Sequence, residues 1–208
     1  MSEKTVFNLD AAYEMAREKM ASADIEKQCL YCGAVRDDQN SISIDFIYEN
    51  YTIDVISSAV NLTSTDRDVP LRSKILILHY FLQAKNSKLA NEHITYRQLP
   101  GGLIYYPTFI QRTVKRLTDA FGNEVQDFIT AGRKIGADIG CEGDASLVIR
   151  AFPRVSVNLV LWQGDNELPP QLNILFDDNI SDYLEPEDVT VMCEIIVGRL
   201  ITAAGKNA

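Results

Sequence analysis

RAFPRVSVNLVLW (150–162), QGDNELPP (163–170), QLNILFDD (171–178) and, beyond a four-residue link, YLEPEDVTVMCEIIVGRL (183–200) form the stretch that decides the fold. Val155, Val157, Leu159 and Leu161 alternate with Ser156, Asn158 and Val160, the period of a strand with one buried face. Leu172, Ile174 and Phe176 repeat that period beyond a loop of Gly, Asp, Asn and Pro, so the two runs are predicted to pair as a hairpin. Val189, Met192, Cys193, Ile196, Val197, Leu200 and Ile201 then recur at helical spacing, one apolar stripe of a C-terminal helix. Each of those side chains contributes about 1.5–3 kcal/mol on burial, before conformational entropy is subtracted. A hairpin covered by this helix would dominate the C-terminal half.

Working outward, a strand is expected at Leu147 to Phe152, preceded by the glycine-spaced loop GADIGCEGDA (136–145). Pro107 is placed at the first position of a helix that buries Ile110, Val114, Leu117 and Phe121 and ends at Gly122. A shorter helix carries Val125, Phe128 and Ile129 and stops near Gly136. LRSKILILHYFLQA (71–84) leaves little polar surface and reads as a helix buried nearly all round. SISIDFIYENYTIDVI (41–56) is a second hairpin, with Glu49-Asn50 as its expected turn. That register places Asp45 directly opposite Asp54, a destabilising pair that a cation or a nearby Lys or Arg would relieve. Asn8 or Asp10 caps a first helix, and a second ends at Cys32 with Gly33 as a left-handed cap. The reading is a single α+β domain over residues 1–208: a helical segment (1–33), a hairpin (41–56), a helical middle (68–136), and a sheet with the C-terminal helix (145–204).

Composition excludes several function classes. A net charge of -9 argues against nucleic-acid backbone binding, which needs a basic surface. The longest apolar run, Ile75 to Leu78, is far below the roughly 20 residues that span a bilayer, and the N-terminus has no apolar leader core. A cytoplasmic location is expected, with the four cysteines as thiols.

Five phrases, in order, carry a resemblance: ILILHYFLQA (75–84), TYRQLPGGLIYYPTF (95–109), GDASLVIRAFPRV (143–155), LVLWQGDNELPPQLNILFDD (159–178) and YLEPEDV (183–189). Together they resemble an uncharacterised domain family of anaerobic bacteria and archaea, some members of which look fused to iron–sulfur or corrinoid-protein modules. The resemblance implies a role in anaerobic metabolism and a redox or one-carbon partner protein. It brings no catalytic residues and no cofactor with it.

The residues themselves offer several candidate sites. Arg97, Gly101, Gly102 and Tyr105 combine a forked cation, backbone that a ligand can approach and a flat ring, and Trp162, Asp165 and Asp177 add a second ring and two acids. The bland alternatives are a turn that redirects the chain into the next helix and a loop whose acids cap local backbone. Cys29 and Cys32 form a lone CxxC, read as structural because the remaining thiols, Cys141 and Cys193, are isolated. His79, on the apolar helix, is read as a hydrogen-bonded core residue rather than a base, and His93 as loop. No nucleophile elbow or phosphate loop occurs. Three functions follow: a small-molecule or cofactor-binding accessory module, an enzyme using Asp165 or Asp177 as general base with Arg97 holding the substrate, and a protein-interaction domain. The first is favoured.

Overall fold

A computed structural model describes residues 8–206. In chain order the elements are α1 (Leu9–Ala21), α2 (Ile25–Cys32), β1 (Val35–Arg36), β2 (Ser41–Phe46), β3 (Glu49–Asp54), β4 (Val60–Leu62) and α3 (Leu71–Gln83). There follow β5 (His93–Thr95), a 3-10 turn (Tyr96–Gln98), α4 (Gly102–Arg112), α5 (Val114–Phe121), α6 (Val125–Ile135) and β6 (Asp138–Ile139). The chain ends with β7 (Ala145–Phe152), β8 (Val155–Trp162), β9 (Gln171–Asp177), a second 3-10 turn (Asp178–Asp182) and α7 (Pro186–Ala203).

The fold is α+β, with two antiparallel sheets ordered β1-β2-β3-β4 and β5-β9-β8-β7-β6. The C-terminal hairpin forms as its periodicity predicts, Leu159 opposite Ile174 and Leu161 opposite Leu172. All seven stripe residues of α7 are buried. One contiguous core joins both sheets and the helices, so the chain folds as one domain. Val160 and Asn158, assigned above to an outer face, are buried too, because β8 is the central strand and is covered on both sides.

Tyr80 ties three parts of that core together. Its ring stacks on Phe152 of β7 at 4.0 Å, and its hydroxyl donates to the Cys32 carbonyl (2.7 Å) while accepting from the Arg154 N–H (3.1 Å). Burial drives its phenol pKa well above the usual range, so it remains a neutral donor.

Two local expectations are corrected. The first hairpin turns at Ile47-Tyr48, not Glu49-Asn50, and both turn residues have positive φ (46° and 61°). Asn and Gly normally supply that conformation at low cost, whereas a β-branched Ile adopts it only under outside constraint. The constraint is tertiary. Ile47 N–H donates to the Ala151 carbonyl (2.8 Å), Arg199 Nη1 donates to the Ile47 carbonyl (3.0 Å), and the Tyr48 hydroxyl accepts from Arg150 N–H (3.0 Å). The register bulge of β7 between Arg150 and Phe152 is where the turn docks. As a result Asp45 faces Asn50, whose amide donates to it at 3.0 Å, and Asp54 faces Ser41, so the two acids never oppose each other. Asp54 instead accepts from the Ser57 hydroxyl and N–H, which hold its carboxyl below the usual range.

The second correction concerns Pro107, which lies inside α4 rather than at a helix start. The predicted single helix to Gly122 breaks at Thr113 (φ -126°, ψ -80°), whose hydroxyl turns back to the Phe109 carbonyl at 2.6 Å. This break separates α4, which lines the site below, from α5, which packs on β9.

Candidate functional site

Four helices each offer one stripe to a shared cavity of about 600 Å³. On α3 the stripe is Arg72, Ile75, Leu76, His79 and Gln83, three polar side chains around two buried aliphatic ones. On α4 it is Tyr105, Thr108 and Arg112, again at helical spacing. The start of α7 adds Glu187, Asp188, Thr190 and Val191, and α1 closes the apolar side with Leu9 and Ala12. The volume falls within the range of small-molecule sites.

Polar contacts inside it are specific. His79 Nδ1 lies 2.9 and 3.0 Å from the two carboxylate oxygens of Asp188, a buried residue. An ionised carboxylate only accepts, so the Nδ1 atom carries the proton and Nε2 is the ring atom available to a ligand. The Gln83 amide donates to Asp188 at 3.5 Å, a long contact that adds little. Some 10 Å away along α3, at the helical rise per residue, Arg72 and Arg112 both reach Glu194 Oε2, at 3.2 and 3.7 Å.

Glu187 is held in the wall beside Asp188. Burial, and then the Asp188 charge, push its carboxyl pKa above the ordinary 4.5, while His79, Arg112 and Arg72 pull it back. A raised carboxyl favours the folded state fully only below 4.5, and that contribution is lost as pH rises through the folded value. Glu187→Gln is therefore expected to raise Tm at pH 8 relative to wild type, with the gain vanishing near pH 4. Calorimetric melting of both proteins across that range checks the sign, and a Gln variant less stable at pH 8 would refute it.

The residues singled out in the sequence are dispersed in role. Tyr105 lines the cavity. Arg97 is exposed and sits over the Tyr106 ring at 5.1 Å, with no ionic partner among the described residues. Gly101 takes φ 76° to cap α4, and Gly102 packs so closely that a Cβ there would lie 2.2 Å from the Tyr96 carbonyl oxygen. Asp165 accepts from the Glu167 and Leu168 N–H groups, which lower its pKa, and Asp177 accepts from Ala90, Asn91 and Asn179. Both acids thus act as backbone caps. Trp162 ends β8 half-exposed, opposite Gln171.

Cys29 and Cys32 lie on α2 with both thiols buried, and desolvation raises both, Cys32 to about 12. That opposes the thiolate needed for redox or metal chemistry. Among the described residues no group of three or more His, Cys, Asp or Glu side chains could hold a metal ion, and no helix is long and apolar enough to cross a membrane. His93 pairs loosely with Glu142, at 3.7 Å.

His79, read in the sequence as a hydrogen-bonded core residue, is hydrogen-bonded to Asp188 but only partly buried, on the cavity wall. Its signal was a polar series, Arg72, His79 and Gln83, recurring on one face of an otherwise apolar helix.

A family model described as a domain of unknown function, DUF3786, matches residues 24–199. The chain belongs to that family. Every charged residue of the DUF3786 cavity, from Arg72 to Asp188, lies within the matched span, whereas the α1 wall lies outside it. No curated protein and no solved structure matches the chain.

Proposed function

We propose that this DUF3786 domain is a small-molecule-binding module whose site is the cavity between α1, α3, α4 and α7. The observation that carries the reading is the His79–Asp188 pair at the cavity wall. The other buried polar side chains of α3 and α7, Ser73 and Thr190, are uncharged, and a carboxylate held there against an imidazole costs desolvation that a purely structural core would avoid. The pair fixes one imidazole tautomer and leaves Nε2 to exchange a proton or a hydrogen bond with the bound molecule. The carboxylate-based enzyme offered by the sequence moves, under this reading, from Asp165 or Asp177 to this pair. The accessory role in anaerobic metabolism and the redox or one-carbon partner protein rest on the sequence resemblance alone.

A thermal-shift screen of carboxylates, phosphates, nucleotides, flavins and corrinoids against wild type and His79→Asn tests the proposal. A ligand present at about 100 times its Kd adds about 2.7 kcal/mol, a rise of roughly 5–10 °C for a chain of this size. That rise is expected in wild type and not in His79→Asn. An identical response in both proteins would remove His79 from the site.

A further inference from the structure

The charges around the cavity are sorted by position, and this sorting limits what it can hold. On α3, Arg72 and His79 are seven residues apart, about 10 Å at the helical rise. On α7, Glu194 and Asp188 are six apart, about 9 Å, and run the other way, so that Arg72 meets Glu194 while His79 meets Asp188. One end therefore gathers two guanidiniums, Arg72 and Arg112, around the single carboxylate of Glu194. Several of their N–H donors exceed what one carboxylate accepts, and both side chains keep contact with solvent. The other end gathers Glu187 and Asp188, where the His79 imidazole contacts Asp188 and the two guanidiniums act on Glu187 without an ion pair to it. Between the ends the wall is uncharged, with Ile75, Leu76 and Val191 as its apolar part and Thr108 and Thr190 as its hydroxyls.

We infer that the cavity takes a bipolar small molecule, with a carboxylate or phosphate at the Arg72–Arg112 end, a protonated amine at the Glu187–Asp188 end, and a short apolar chain between them. This deepens the small-molecule reading above and rests on it. An anion alone would leave the Glu187 carboxylate facing its apolar tail, and an amine alone would leave the spare arginine donors to solvent. A zwitterion of matching length answers both ends, and its separated charges exclude compact amino acids that reach only one.

Isothermal titration calorimetry at neutral pH and low salt, with ω-aminooctanoate, octanoate and octylamine as probes, tests the inference. The zwitterion is expected to bind at least about tenfold tighter than either singly charged chain. Arg112→Gln should reduce it to the level of octylamine, and Glu187→Gln to the level of octanoate. Equal affinity for the zwitterion and either single-charge chain overturns the bipolar class but leaves the cavity a small-molecule site. Absence of binding by all three overturns both.

Discussion

Tyr80→Ala is expected to lower stability by about 4 kcal/mol, a fall in Tm of roughly 10–15 °C for a domain of this length. The loss has two parts. Removing the ring empties the space against Phe152, where the stacking distance is 4.0 Å, and exposes the junction of α3 with β7. Removing the hydroxyl strands the Cys32 carbonyl and the Arg154 N–H, both bonded to it in the folded protein. Tyr80→Phe isolates the second part, about 1–3 kcal/mol. Equilibrium unfolding in urea of both variants measures the two terms. A loss below about 1.5 kcal/mol for Tyr80→Ala would mean that this core relaxes in ways the packing does not suggest.

Gly102→Ala should cost nearly as much, about 3 kcal/mol, at the upper end of ordinary overpacking. The added methyl would sit 2.2 Å from the Tyr96 carbonyl oxygen, a backbone atom that cannot swing aside. Tyr96 itself is pinned: its ring stacks on Phe109 at 4.0 Å and its hydroxyl is 2.8 Å from both the Pro186 carbonyl and Thr190 Oγ1. Gly101→Ala is the control. There the neighbouring space is open, the nearest atom being Pro186 Cγ at 3.9 Å, and the penalty is the left-handed φ of 76°, about 1 kcal/mol. Melting curves of the two variants separate a steric role from a merely conformational one. If Gly102→Ala melts like wild type, the glycine pair is free for ligand approach, as the sequence suggested.

The C-terminal hairpin and α7 were legible because their periods are long and uninterrupted, and burial follows period in β9 and α7, though central β8 is buried on both faces. The turn of the first hairpin was not. Glu49-Asn50 has turn-like chemistry, while Ile47-Tyr48 takes positive φ only because Ala151, Arg150 and Arg199 hold it from elsewhere in the chain. The helix break at Thr113 had the same character, a single side chain bonding backward within an apolar pattern. For the site, the short-range view gathered residues close in sequence, Arg97 to Tyr105 and Trp162 to Asp177, and of these Tyr105 reaches the cavity. The residues that meet there are distant: His79 and Asp188 are 109 positions apart, and Arg72 and Glu194 are 122. No local spacing encodes such a pair. The clue that remained was chemical, a histidine in the middle of ILILHYFLQA where a solvent-free helix would hold an aliphatic residue.

The central claim is that this cavity, and not the Trp162–Asp165 end of the C-terminal hairpin, is where a small molecule binds. Methyl-labelled protein titrated with ω-aminooctanoate and followed by carbon–proton correlation NMR decides between them. The account predicts shifts at the methyls of Ile75, Leu76 and Val191, with Leu168 beside Asp165 unmoved. Shifts centred on Leu168, with the three cavity methyls silent, would contradict it.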